Sequence, residues 1–549
     1  MSHTTALHGS AKEDILESLY NQFTIDDQRL FKITQTFLSE ISDGLSSYGR
    51  PMAMMHVSLL PNSPTFVNGV PDGSETGTFL ALDLGGTNLR VCEVTLLGDK
   101  TFSLRQQKYK VSEALKTGEV TTLFDYLADS VDAFLTDTPS QDYDSHVSHA
   151  DEDSPYVPLA LTFSFPVEQS ALDSGVLLTW TKGFAAKNAI GKDVVKLLQD
   201  AFDRKHIHVK CVALVNDTVG ALLSRAYTSG GCILGAIFGT GTNGAYVEDV
   251  AKITKLSQNP TVAAGGEMIV NTEWGAFNNS RSALPTTPYD NKLDRESINP
   301  RFQAFEKFIS GMYLGEITRN VILSLIDAAP QPLLFGGRSS VLLNKQWGLD
   351  TAVLSEIEEA WECLGRFSPP EQGSPEAQKA EKLRRIQGIL AHRLELSPPD
   401  ISLADADILR QVCNLIASRA ARMSATAVAA ILVHTGRARL WDRGEQSSVG
   451  LKDEGKRIGV GVDGSLVEFY PNFQTKLRAS LRALVGPEVE SRVDLGMAKD
   501  GSGAGAALCA LVAQKQSQAN HTNGAYEYDH QDIKVPPPIE VAYISSLSR

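Results

Sequence analysis

Positive charge is scarce in this chain. Its 51 lysines and arginines face 65 aspartates and glutamates, a formal net charge of −14 over 549 residues. That balance argues against non-specific binding to nucleic acid or to a membrane surface. An anionic substrate would therefore have to be held by local donors, since the overall field repels it. Long apolar runs are missing as well. The longest, around Ala427–Val433, falls far short of the ~20 residues a membrane helix needs, so membrane insertion is not expected. The opening residues have neither a basic nor an apolar region of the kind a secretory signal requires. Six cysteines, at 92, 211, 232, 363, 413 and 509, show no CxxC or metal-ligand spacing, and most lie in apolar runs, so buried reduced thiols are expected. No GxxxxGK[ST] phosphate loop occurs. These absences point to a cytoplasmic chain.

What is present reads as an ordinary globular protein, 42% hydrophobic and 21% charged, but too long for a single core. Residues 11–48 carry apolar positions at helical spacing. From Phe79 short apolar strands alternate with longer amphipathic stretches, the pattern of an α/β fold. Thr138–Pro158 breaks it. His146 and His149, flanked by Asp144 and Asp151, suggest a metal site there, but a solvated acidic loop fits the composition better. Ser355–His392 is charged and helix-like, and Leu409–Val433 reads as a buried helix. The last recognisable element is the Gly/Ala-rich run Gly501–Leu511, with a polar and then Pro-rich tail expected after Gln514.

Residues 79–91, Phe-Leu-Ala-Leu-Asp-Leu-Gly-Gly-Thr-Asn-Leu-Arg-Val, form an apolar run that ends on an acid and then turns through two glycines. Such a strand delivers Asp83 to its tip. Gly85 and Gly86 let bare backbone N–H groups approach an anion, Thr87 and Asn88 add donors, and Arg90 adds a full charge. A plain Gly-Gly hairpin is the bland alternative. The logic repeats at Ile233–Val247, an apolar strand, a Gly/Thr/Asn turn and a second strand. Two such hairpins facing each other could grip a triphosphate from both sides, which implies two related domains with a cleft between them. Gly239-x-Gly241-x-x-Gly244 and Gly459-x-Gly461-x-x-Gly464 match the dinucleotide fingerprint literally. That fingerprint needs a following helix, whereas Ala245–Val250 and Ser465–Phe469 read as outgoing strands, so a Rossmann site is set aside.

A third group of residues suits a polyol. Sugar hydroxyls donate and accept at once, which fits the amides and carboxylates of Asn216, Asp217, Asn243, Glu273 and Glu306. Asp217 follows the mostly apolar Cys211–Val215 and should stand at a strand tip, where a carboxylate can accept the proton of an attacking hydroxyl during phosphoryl transfer. Lys182 can offset charge on the transferring group or orient the hydroxyl. Taken singly, each acid is more often a cap or a surface charge, and Asn216-Asp217-Thr218 also reads as the cap of the next helix. Their conjunction favours a site.

In Leu82–Arg90, Thr162–Pro166, Trp180–Phe184, Val215–Thr218, Asn271–Phe277, Phe335–Ser340, Gly461–Ser465 and Asp500–Ala507 the chain resembles the eukaryotic hexokinases, and within them the fungal-type glucokinases, over roughly residues 15–515. The resemblance implies an α/β fold of two ribonuclease-H-like domains, as in the actin-like ATPases, with an interdomain cleft that closes over the sugar and excludes water. It implies a helical segment at 1–76 packing on the large domain, a small domain at 77–216, a large domain at 217–499, a return to the small domain at 500–515 and a tail at 516–549. The implied activity is phosphorylation of glucose at its 6-hydroxyl by Mg-ATP, the first step of glycolysis; a hexokinase-fold sugar sensor without useful catalysis is the alternative. Asp217 is then the base, helped by Lys182, and Ser164, Thr181, Lys182, Asn216, Asn243, Glu273 and Glu306 hold the sugar. Asp83 orients Mg²⁺ through water. Gly85, Gly86, Thr87, Asn88 and Arg90 line one side of the phosphates and Thr240 and Gly241 the other, while Gly464, Ser465, Gly501 and Ser502 approach the nucleoside. Arg301 stands where the family usually has glycine. The partners implied are glucose and Mg-ATP, with no nucleic acid and no membrane insertion, in a monomer or homodimer.

Overall fold

The computed structural model describes residues 2–52, 55–57, 70–85, 88–137, 156–180, 184–256, 266–367, 373–441, 450–498 and 500–522. Two mixed sheets organise them. The first holds β2 (Thr76–Leu84), β3 (Asn88–Leu97), β4 (Phe102–Lys110), β5 (Val157–Phe163) and β8 (Val209–Val215) in the order β4-β3-β2-β5-β8. β2 and β3 form an antiparallel hairpin, while β2, β5 and β8 run parallel. Residues Phe79 to Leu84 are all buried, as expected of a central strand covered on both faces. The second sheet holds β1 (Met55–Val57), β9 (Leu234–Phe238), β10 (Thr242–Asp249), β11 (Glu267–Asn271), β12 (Ile458–Asp463) and β13 (Val493–Met497) in the order β1-β11-β10-β9-β12-β13. Here β9 and β10 make the hairpin, and β9, β12 and β13 run parallel. A small hairpin, β6 (Val167–Ala171) with β7 (Ser174–Leu177), lies apart.

Strand alternation sends Leu80, Leu82 and Leu84 to a core shared with α3 (Val120–Asp137) and α4 (Val194–Arg204). Phe79 and Ala81 face the other way, into a core that also takes Ala245, Val247 and Ile269 from the second sheet. Between the sheets lie α5 (Asp217–Ser229) and α11 (Gly501–Thr522). These two helices touch backbone to backbone: a Cβ added to Gly505 would sit 2.3 Å from Gly220 Cα. The far face of the second sheet is covered by α2 (Asp27–Ser46), α8 (Leu403–His434) and α10 (Phe473–Arg492), with α1 (Ser2–Phe23) packed beside α8.

α8 is the buried Ala-rich helix expected from its pattern, begun by a Ser402/Asp405 capping box. Among the described residues it is the one helix long and apolar enough to cross a membrane, and 83% of its apolar window is buried in this core. Two expectations need correction. Ser465–Phe469 is a short helix, α9, and not an outgoing strand. Gly459 and Gly461 nevertheless lie inside β12, not in a turn after it, so no dinucleotide loop results. The closing helix α11 runs to Thr522, past the point where a tail was expected, because Gln514–Thr522 contains neither Pro nor Gly to stop it. The acidic stretch 138–155, with His146 and His149, lies outside the described residues.

Candidate active site

Pairing in the β2–β3 hairpin sets Asp83 directly opposite Arg90. Arg90 Nε and Nη2 donate to Asp83 Oδ2 at 2.9 and 2.5 Å, and Nη2 also donates to Ser502 Oγ at 2.9 Å. Thr162 Oγ1 donates to the Ser502 carbonyl at 2.8 Å, so the first turn of α11 is tied to the tips of β2, β3 and β5. Burial works against the Arg90 charge, but the Asp83 carboxylate outweighs it and holds the guanidinium pKa above its ordinary value. Gly85 N–H closes the turn on Asn88 O at 3.0 Å, and Asn88 is exposed. Gly86 and Thr87 lie outside the described residues.

α5 starts where β8 ends. Asn216 is its N-cap, its Oδ1 accepting from Thr218 N at 3.0 Å and from Thr218 Oγ1 at 2.6 Å. The capping role expected of this triplet thus falls to Asn216, and Asp217 is the half-buried first helical residue. The first turn of α5 presses on β9, since a Cβ on Gly235 would lie 2.3 Å from Thr218 O. Ser164 follows the end of β5, whose Thr162 pairs with Val215 at the end of β8, two residues before Asp217. Among the described residues no hydrogen bond joins Ser164 to the rest.

Asp463, at the end of β12, was not singled out from the sequence. Its carboxyl pKa is raised by burial, and the nearby charges of Asp217 and Glu468 add to this against the Gly464 N–H and Arg90. Gly464 N donates to Asp463 Oδ1 at 2.6 Å. The signal was available: Ile458–Val462 is an apolar strand that ends on an acid and a glycine, as β2 does at Asp83. Gly464 has φ +113°, and a Cβ there would lie 2.5 Å from Phe238 C and 2.7 Å from Gly239 N. Only glycine lets the Gly464–Ser465 segment lie against the β9–β10 turn.

That turn is supported from behind, with Gly311 N donating to Gly239 O at 2.7 Å and Met312 N to Thr240 O at 3.1 Å. Gly241 adjoins Glu306, whose Oε2 accepts from Thr242 N at 3.0 Å. Trp274 Nε1 donates to Thr242 Oγ1 at 2.9 Å. Beside it, Asn243 Nδ2 donates to Asn271 Oδ1 at 2.8 Å and to Glu273 Oε1 at 3.1 Å, and Asn271 Nδ2 donates to the same Glu273 oxygen at 2.8 Å. The structure therefore joins Asn243, Glu273 and Glu306 through one hairpin. It adds Asn271, the last residue of β11, whose sequence signal was its place two residues before Glu273. Glu273, Asn278, Arg281, Arg301 and Gln303 all have positive φ, a concentration of backbone strain of the kind kept at functional sites. Thr181 and Lys182 lie outside the described residues. Among those described, no group of three or more His, Cys, Asp or Glu could form a metal cage.

Two hexokinase family models match the chain, one over residues 15–227 and the other over 233–512. Glucokinase from Aspergillus niger is 40% identical over 528 residues, covering 92% of this chain and 98% of that protein. Glucokinase-1 from Saccharomyces cerevisiae is 37% identical over 536 residues, covering 92% and 99%. Among solved structures, hexokinase from Schistosoma mansoni complexed with glucose superposes with a TM-score of 0.73 and 31% identity, across 92% of this chain and 99% of that one. The two sheets and the helices between them are the two-domain hexokinase fold. Matched in both halves, and aligned with relatives along almost their whole length, this chain belongs to the hexokinase family.

Proposed function

We propose that this chain transfers the γ-phosphoryl group of ATP to the 6-hydroxyl of glucose, with Asp217 as the general base. The observation that carries this reading is the place of Asp217. It heads a helix wedged between the two sheets, with the Asp83–Arg90–Ser502 group and Asp463 near it and the sheet bearing the amide and acid cluster against its first turn. The names of the relatives, and the glucose in the Schistosoma mansoni structure, support the choice of sugar.

In this reading Asn216, Asn243, Glu273 and Glu306, with Ser164, Thr181 and Lys182, accept from and donate to the sugar hydroxyls and fix the 6-hydroxyl against Asp217. As the γ-phosphoryl group leaves ATP, that hydroxyl oxygen bonds to phosphorus and its proton passes to the Asp217 carboxylate. Arg90, the backbone of Gly85, Gly86, Thr87 and Asn88, and Thr240 and Gly241 hold the phosphates, and Gly464, Ser465 and the first turn of α11 hold the nucleoside. The donor set fits a Mg²⁺ carried on the triphosphate: both Arg90 contacts fall on Asp83 Oδ2, so Oδ1 is not spent on that pair, and Mg²⁺ is ordinarily held by one or two carboxylates plus phosphate oxygens. When bound, the ion neutralises charge on the transferring phosphate. We take the domain boundaries near 77, 217 and 500, where the two sheets and α11 divide.

Saturation curves for glucose, mannose and fructose with Mg-ATP, with the product identified by phosphorus NMR, test the reading. Formation of glucose 6-phosphate is expected. Calorimetric glucose binding without any phosphate ester would replace it with the sugar-sensor alternative, and comparable catalytic efficiency on fructose would replace glucose with hexoses at large.

A further inference from the structure

We propose that Asp294 is a positioning residue for the sugar site, and that by clamping the loop and helix that follow it, it sets the direction of Glu306. This rests on the reading of Glu306 as a sugar ligand. Asp294 lies on α6 (Pro288–Glu296) and is 6% exposed, and Glu306 lies on α7 (Ala304–Ile309). Between them runs a loop with two residues in the left-handed region, Arg301 at φ +67° and Gln303 at φ +53°. α7 is only six residues long, and its N-cap, Gln303, makes no side-chain capping bond. A helix that short does not hold itself in place, so its direction must come from tertiary bonds.

Ala304 N donates to Asn279 Oδ1 at 3.0 Å, and one carboxylate holds both the loop and the helix beyond it. Arg301 N donates to Asp294 Oδ1 and Oδ2 at 3.0 and 3.1 Å, and Lys307 Nζ donates to Oδ1 at 2.8 Å. Arg281 pairs with Oδ2 from the other side. Lys307 Nζ also donates to Asn299 O at 2.7 Å, so the buried ammonium and carboxylate together close the loop at both ends. Burial tends to raise the Asp294 pKa, but the bonds from Lys307, Arg281 and Arg301 N outweigh it, and the group stays ionised below the usual carboxylate range. Glu306 is the neighbour of Lys307 in the chain. With Lys307 drawn toward Asp294, Glu306 meets Thr242 N at 3.0 Å and abuts Gly241, at the edge of the amide and acid cluster. Arg301 makes the clamp demanding, because a β-carbon at φ +67° costs strain that the Asp294 bonds must hold against.

The test compares wild type with D294N, E306Q, R301G and D294N/R301G, measuring glucose Kd by calorimetry without nucleotide and steady-state constants with Mg-ATP. In D294N the glucose Kd and KM should rise about 10-fold or more, with kcat within about 3-fold and the KM for ATP unchanged, because a misaimed ligand weakens sugar binding first. Glycine takes the left-handed conformation without strain, so R301G should restore part of the lost affinity in the D294N background. If D294N alone does not accumulate as folded protein, D294N/R301G compared with R301G gives the same reading. Unchanged glucose Kd in D294N while E306Q binds weakly would overturn the role of Asp294 and leave Glu306 standing. Unchanged Kd in E306Q would remove the sugar-ligand reading and this inference with it. A D294N defect that falls equally on kcat and on the KM for ATP, or that R301G does not relieve, would mean general loosening and not positioning.

Discussion

Replacing Asp217 by Asn should separate catalysis from folding cleanly. The substitution keeps size and shape, and the α5 cap survives because Thr218 N donates to Asn216 Oδ1 at 3.0 Å as well as to Asp217 Oδ1 at 2.9 Å, and an asparagine at 217 keeps an oxygen acceptor. What folding loses is a negative charge in the first turn of α5, about 0.3–1 kcal/mol by helix-dipole magnitudes, and relief of the repulsion with Asp463 offsets part of it. What catalysis loses is the proton acceptor. A general base contributes typically 10²–10⁴-fold, which is about 2.7–5.4 kcal/mol of barrier. Turnover should therefore collapse while the denaturation midpoint barely moves. The assay is initial velocity with glucose 6-phosphate formation coupled to NADPH, beside glucose calorimetry and denaturant unfolding of the same preparation. A folded D217N enzyme with kcat within about 10-fold of wild type would refute Asp217 as the base.

Other parts of the structure make equally specific demands. Arg419 is fully buried, donates to both Asp290 oxygens at 2.8 and 2.7 Å, and lies between the rings of Phe23 and Phe308. R419M would leave Asp290 buried and uncompensated, so unfolding free energy should fall by about 3–5 kcal/mol; a loss below about 1 kcal/mol would contradict the pairing. Burial raises the Glu248 pKa, but His434, Tyr246 and Lys252 outweigh it and hold the carboxyl below 4.5. A depressed carboxylate stabilises the fold above its unfolded pKa, and that contribution drains away as pH falls through the folded value. Wild type should thus lose stability more steeply than E248Q below pH 4.5, and parallel curves would count against it. Burial pushes the thiols of Cys92, Cys211 and Cys509 up to about 12 and that of Cys232 to about 11, and Cys413 is also raised, whereas Cys363 is partly exposed. At pH 8 a disulfide reagent should label Cys363 alone in the native protein, as peptide mapping would show; rapid labelling of the others would mean that their cores open.

Both hairpins could be read from the chain because their cause is local. An apolar run, a glycine turn and a second run fix β2–β3 and β9–β10, and the short turn alone puts Arg90 opposite Asp83. The rule that an acid closes a buried strand applies at Asp83, and it applies equally at Asp463 in β12. The second case is harder to read because β12 is short and its glycine spacing matches a fingerprint the fold does not use. Ser465–Phe469 turned from strand to helix for a tertiary reason: Gly464, backed onto Phe238 and Gly239, redirects the chain before another strand can pair. Asp294 was invisible for the same kind of reason, since its partners Arg281, Arg301 and Lys307 meet only when α6 and α7 fold together. The acids at 83, 217 and 463 stand at or just beyond the carboxyl ends of parallel strands, where α/β sheets open toward ligands. Local pattern can supply those strand ends, but it cannot make the edges of two sheets converge. That depends on α5 and α11 touching at Gly220 and Gly505, where a single added Cβ on either helix would force the backbones, and with them the acids, apart.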